Sequence, residues 1–112
     1  MTTSTTPTEL PAVIRGYLTA EDPDTAVQAF TDDAVVVDEG ATHRGTEAVL
    51  AWLHRGASEY TYTAELTGGE RIDADHWLAV QHLVGDFPGG VVDLRYRFTL
   101  RGDRIAELTI AP

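Results

Sequence analysis

A chain of 112 residues is the size of one domain; its 43% hydrophobic content can build a core, and no stretch approaches the ~20 apolar residues of a membrane-spanning helix. A net charge of −10 repels a phosphate backbone, so nucleic acid is not an expected partner. All eight basic residues are arginines and cysteine is absent, which excludes Schiff-base lysines, a Walker lysine, thiolate nucleophiles and disulfides.

Residues 1–7 hold neither a basic nor an apolar region, so they are expected to be a disordered tail and not a secretory signal. Residues 8–112 are expected to form a single domain, cytoplasmic in location. Thr6 and Thr8 are candidate caps for a first helix, with Pro11 in its first turn. Leu10, Val13, Ile14, Tyr17 and Leu18 then form one helical stripe. Asp22 caps a second helix with Pro23 at its first position, and Ala26, Val27 and Phe30 form its inner face. Ala34 to Asp38 is a β-branched strand, and Gly40 to Gly45 a loop. Thr46 caps a third helix with Val49, Trp52 and Leu53 facing inward, and Gly56 stops it.

The pattern then changes to period two. Tyr60, Tyr62, Ala64 and Leu66 alternate with polar residues, and Gly68-Gly69 marks a bulge. Strands follow over His76 to Phe87, Val91 to Arg101 and Arg104 to Ile110, with turns at Asp73–Asp75, Pro88–Gly90 and Gly102-Asp103. Helices first and an antiparallel meander last give an α+β fold, not an alternating βα one. A curved sheet cannot lie flush against three helices everywhere, so an apolar pocket is expected at its open end.

The stretch from Pro11 to Leu53, "PAVIRGYLTAEDPDTAVQAFTDDAVVVDEGATHRGTEAVLAWL", resembles the opening of nuclear transport factor 2-like proteins, and more narrowly of the SnoaL-like group. "GDFPGGVVDLRYRFTL" further along supports the same likeness, which spans roughly Leu10 to Ile110. The resemblance implies a cone-shaped domain in which a curved antiparallel sheet wraps three helices from the N-terminal half. It also implies a deep pocket and a homodimer. The superfamily hosts isomerases, dehydratases, cyclases, epoxide hydrolases and non-catalytic modules, so the chemistry has to come from the site.

Asp38 falls where the steroid isomerases of this superfamily carry a general-base aspartate. The residues agree in kind: Val36 and Asp38 share a strand face, and a carboxylate against apolar walls has a raised pKa. Asp38 is then either a general base or a cap on the Gly40 turn. Tyr17, in "VIRGY", resembles the oxyanion-hole tyrosine of those isomerases; as a stripe residue it is either that donor or a core tyrosine bonded to backbone. The isomerases' second donor, a protonated acid, maps onto Leu94. Asp93 is one residue off and so on the opposite face.

On the strand from Val91 to Arg101, Val92, Leu94, Tyr96, Phe98 and Leu100 are assigned to the core and pocket, and Asp93, Arg95, Arg97 and Arg101 to the outside. Trp52, Tyr60, Trp77, Leu94, Tyr96 and His43 are the expected substrate-binding set. His43 either closes the pocket mouth or is merely solvated. His76 and His82 would stand ~20 Å apart on one strand and cannot share an ion. No metal and no cofactor are expected.

The resulting expectation is a cofactor-free isomerase or cyclase that moves a proton next to the carbonyl of a small apolar organic ligand. Asp38 would be its base and Tyr17 its donor. The alternatives are a non-catalytic ligand-binding or dimerisation module, and an epoxide hydrolase, which requires Asp93 and Arg95 to face inward.

Overall fold

Among the residues described by the structure, a computed structural model covering 10–112, the order is α1 (Ala12–Thr19), α2 (Pro23–Val27), β1 (Phe30–Asp38), β2 (Ala41–Arg44), α3 (Gly45–Glu59), β3 (Tyr62–Arg71), β4 (His76–Gly85), β5 (Val91–Arg101) and β6 (Arg104–Ala111). The expected tail and the caps Thr6 and Thr8 lie outside the described residues. The strands form one curved, unclosed sheet in the order β2-β1-β6-β5-β4-β3. Its pairings are antiparallel except β1 with β6, which is parallel.

α1 begins later than the sequence suggests. Pro11 occupies its N-cap with an extended ψ of 151°, and the residue before a proline is driven out of the helical region, so Leu10 cannot open the helix. Leu10 is nevertheless buried, from the segment ahead of α1. α2 follows expectation at its start: the Asp22 Oδ1 accepts from the Thr25 amide at 2.8 Å, with Pro23 in the first turn. It ends after a single turn, so Phe30 is not on its inner face. Phe30 opens β1 instead and is buried there.

The expected loop between Gly40 and Gly45 contains a strand. Glu39 (φ 53°) and Gly40 (φ 78°) both adopt positive φ, the requirement of a two-residue hairpin turn, and β2 pairs back on β1 from Asp38↔Ala41 to Val35↔Arg44. The hairpin brings the chain straight into α3. Arg44 is therefore the N-cap residue, with no side-chain cap, and Thr46 does not cap. Gly56 does not stop α3 either. It lies in the helix with open space around it, where a glycine costs about 1 kcal/mol without breaking the ladder. Ser58 closes the last turn by donating to the His54 carbonyl at 3.1 Å.

β3 carries the expected bulge, between Leu66 and Gly68. β4 ends at Gly85, two residues early, because Asp86 accepts from the Thr61 amide at 2.9 Å and Phe87 accepts from Gly90 at 2.9 Å to close the turn. Gly85 is required at that corner: a Cβ there would stand 2.5 Å from the Thr61 carbonyl oxygen.

Burial along β5 alternates as the sequence predicts, with Tyr96 and Phe98 buried and Asp93, Arg95, Arg97 and Arg101 exposed. The inner face of the sheet, α1 and α3 enclose one core centred on Ile14, Val36, Val49, Phe98, Ile105 and Leu108. Directly paired residues share a face, so cross-strand register names the rows of this inner surface.

Candidate active site

One row runs Asp38–Ile110–Tyr96–Ala79 across β1, β6, β5 and β4. Asp38 and Tyr96 are two strand spacings apart along it, about 10 Å between backbones, with Ile110 as the floor. Asp38 is half-buried at the end of β1. Its Oδ2 accepts a hydrogen bond of 3.0 Å from the Trp52 indole N–H. Trp52 comes from the inner face of α3, so the helix fixes the carboxylate's orientation. His43, on β2, stacks on the Trp52 ring with centroids 6.1 Å apart and planes at 29°. Trp52 and His43, both expected in the site, thus stand behind the carboxylate.

Tyr17 reaches the same region from α1. Its ring meets Phe30 edge-on at 5.3 Å and Phe98 at 5.9 Å. Burial pushes its hydroxyl well above its ordinary pKa, and the neighbouring Tyr96, Tyr62 and Asp38 push it further. The residue keeps some accessible surface, but the hydroxyl is its desolvated end. Tyr96 lies against Phe98 at 6.4 Å with nearly parallel planes. Burial pushes its pKa up to about 12, against a hydrogen bond from the Gln81 side chain that lowers it; Tyr62 and Asp38 add to the rise.

The structure therefore brings Asp38, Tyr17, Tyr96, Trp52 and His43 together, with Leu94 beside them on the inner face, paired with Gln81. Trp77 is on the same face but one row away, paired with Phe98 and covered by the Arg71 guanidinium at 6.0 Å. Tyr60 falls outside the cluster: it sits past the end of α3 and packs on Phe87 at 6.1 Å. Two participants are missing from the expected set. Gln81 is the one polar residue among Trp77, Ala79 and Leu83 on the inner face of β4, a signal visible in the alternation. Tyr62 rather than Tyr60 accompanies the tyrosine pair, because β3 begins only at Tyr62.

Asp93 points outward and pairs with His82 at 2.7 Å, and Arg95 is exposed, so the inward Asp–Arg pair required of an epoxide hydrolase is not formed. Among the described residues no group of three or more His, Asp or Glu could hold a metal ion, and no helix is long and apolar enough to cross a membrane. Two open surface hollows, of about 350 Å³ beside Phe30 and Arg104 and about 410 Å³ beside Trp77 and Arg97, have neither Asp38 nor Tyr17 in their walls.

The two raised tyrosines make the stability of the fold sensitive to alkali. An unfolded tyrosine ionises near pH ~10, while Tyr96 in the fold holds its proton to about 12. Between those values the unfolded chain binds fewer protons than the native one, so stability falls as pH rises. The stabilisation is intact below about pH 10 and declines above it by about 1.4 kcal/mol per pH unit for each such tyrosine. Denaturant titrations from pH 8 to 12 should show this slope, and Tyr96→Phe should flatten it; an equally steep decline in the variant would contradict the assignment.

Among solved structures, a protein from Sinorhizobium meliloti described as a candidate polyketide cyclase is 38% identical over 91% of this chain and 95% of its own, with a TM-score of 0.85. The chain belongs to the nuclear transport factor 2-like superfamily, in its SnoaL-like group. More distant members share the SnoaL-like protein's fold. A Catenulispora acidiphila protein with a ketosteroid isomerase-like fold, in complex with trimethylamine, is 21% identical with a TM-score of 0.80, over 93% of this chain and 87% of its own. A nuclear transport factor 2-like protein of unknown function from Burkholderia xenovorans is 12% identical with a TM-score of 0.73, over 88% of this chain and 78% of its own. No protein-family model and no curated protein matches the sequence.

Proposed function

We propose that this SnoaL-like protein is a cofactor-free isomerase or cyclase that moves a proton next to the carbonyl of a small, apolar organic substrate. Asp38 takes the proton and the Tyr17 hydroxyl hydrogen-bonds the carbonyl oxygen as it gains negative charge. The observation that carries this assignment is a carboxylate fixed by Trp52 at the end of β1 with a desolvated tyrosine hydroxyl reaching the same region from α1. The two groups come from different elements, β1 and α1, and a ring spanning about 10 Å of floor would lie between the acid and the opposite strand. Desolvation also strengthens each hydrogen bond to a developing oxyanion.

Substrate access fits the β3 side of the cone. Tyr62 and Leu66 belong to the inner face by register, yet they are 46% and 38% exposed. The apolar concave surface therefore continues out to solvent there. The polyketide cyclase description of the Sinorhizobium meliloti relative is consistent with a polycyclic or ring-closing ketone as substrate.

Proton exchange tests the proposal without knowledge of the physiological substrate. Cyclic enolisable ketones of one to three rings, incubated with the protein in deuterated buffer, should exchange their α-protons faster than in buffer alone, as followed by NMR. Exchange at the buffer rate across the whole panel would remove the enzymatic assignment and leave a binding module.

A further inference from the structure

We propose that Tyr96, with buried Gln81 beside it on the neighbouring strand, is a second hydrogen-bond donor to the substrate oxygen that Tyr17 contacts; this rests on the proton-transfer function proposed above. No acid is available for that task on the inner face of β5, where Val92, Leu94, Tyr96, Phe98 and Leu100 alternate inward and Asp93 turns out to His82. The polar groups the inner face does offer at this point are the Tyr96 hydroxyl and the Gln81 side chain.

Placement favours Tyr96. It shares its row with Asp38 across Ile110, so both side chains rise from one floor. Phe98 receives the Tyr17 ring edge-on at 5.9 Å and stacks with Tyr96 at 6.4 Å. One buried ring thus orients both tyrosines, and the Tyr17 hydroxyl lies within electrostatic reach of the Tyr96 hydroxyl.

Gln81 supplies what a bare tyrosine would lack. It is only 8% exposed and lies one inner-face position along β4 from Ala79, the register partner of Tyr96. In the proposed arrangement the amide N–H donates and the phenolic oxygen accepts, the direction that lowers a phenol's pKa. The Tyr96 O–H keeps its own proton to give, and donation into its oxygen polarises that bond. Gln81 is accordingly a positioning residue that acts through Tyr96. Two neutral hydroxyls on one oxygen select a ligand whose oxygen carries negative charge, an enolate or a phenolate, on an apolar ring system.

2-Naphthol is a suitable probe, since its ionised oxygen resembles that of an enolate and its ring has no α-proton to lose. Fluorescence titration should show Tyr17→Phe and Tyr96→Phe each weakening its binding about tenfold. Gln81→Met should weaken it less, and Tyr96→Phe combined with Gln81→Met should be no weaker than Tyr96→Phe alone, which additive structural damage would not produce. The wild-type complex offers a measurement that needs no variant to fold: two strongly downfield O–H proton resonances are expected in its NMR spectrum. A single such resonance, or unchanged affinity in Tyr96→Phe beside a loss in Tyr17→Phe, overturns the role of Tyr96 and leaves the proton-transfer function standing. Failure of the wild-type protein to bind 2-naphthol overturns the two-donor site, while α-proton exchange of the ketone panel still decides the proton-transfer function.

Discussion

Asparagine in place of Asp38 is expected to slow α-proton exchange of a responsive ketone by about 10²–10⁴-fold, the usual contribution of a positioned general base. The substitution preserves shape. An asparagine carbonyl oxygen can still accept from the Trp52 indole, which is the 3.0 Å hydrogen bond that Oδ2 makes. Asp38 ends β1, and its backbone pairing with Ala41 and Ile110 does not depend on the side chain. The thermal midpoint should therefore move by no more than a few degrees. Affinity for 2-naphthol should hold or rise, because a neutral amide beside the site, in place of a carboxylate, no longer opposes ionisation of the bound ligand. Loss of rate with retained affinity identifies a group that acts on the proton rather than one that holds the ligand. An exchange rate within twofold of the wild type would leave Asp38 as the structural partner of Trp52 and remove it from the chemistry.

What the sequence disclosed of this site follows from how far each signal reaches. Alternation is local, so the two faces of β5 and the inward aim of Val36 and Asp38 were legible from adjacent residues. The Asp22-Pro23 cap and the Gly68-Gly69 bulge are equally local, and both formed where the residues suggested. The Glu39-Gly40 turn was hidden because its first residue is not the asparagine or aspartate that usually announces positive φ. The partnership of Tyr96 with Asp38 was out of reach for another reason. It depends on the parallel pairing of β1 with β6, between residues far apart in the chain, and no periodicity encodes which strand lies beside which. Gln81 stood out as a polar residue among inward apolar ones, but its value lies in the neighbour it meets, which only register supplies.

Alanine in place of Phe98 is expected to cost about 3–5 kcal/mol, a large share of the 5–15 kcal/mol that holds a typical domain together. Phe98 is 1% exposed and heads the largest fully buried side chains. It pairs with Trp77 on β4 and Leu108 on β6, so its ring is enclosed within the sheet as well as by α1. Truncation leaves a cavity that those neighbours can collapse into only in part. Phe98→Leu keeps most of the volume and should cost less than about 1.5 kcal/mol. Urea unfolding of the two variants measures the difference, and a cost below about 1 kcal/mol for alanine would show that the core is not organised around this ring. The same cavity lies where Tyr17 and Tyr96 rest against Phe98, at 5.9 and 6.4 Å. Folded Phe98→Ala, assayed well below its unfolding midpoint, should therefore bind 2-naphthol more weakly than Phe98→Leu, although neither substitution removes a hydrogen-bonding group. The ring that stabilises the core also spaces the two hydroxyls, which makes stability and ligand affinity fall together at this position.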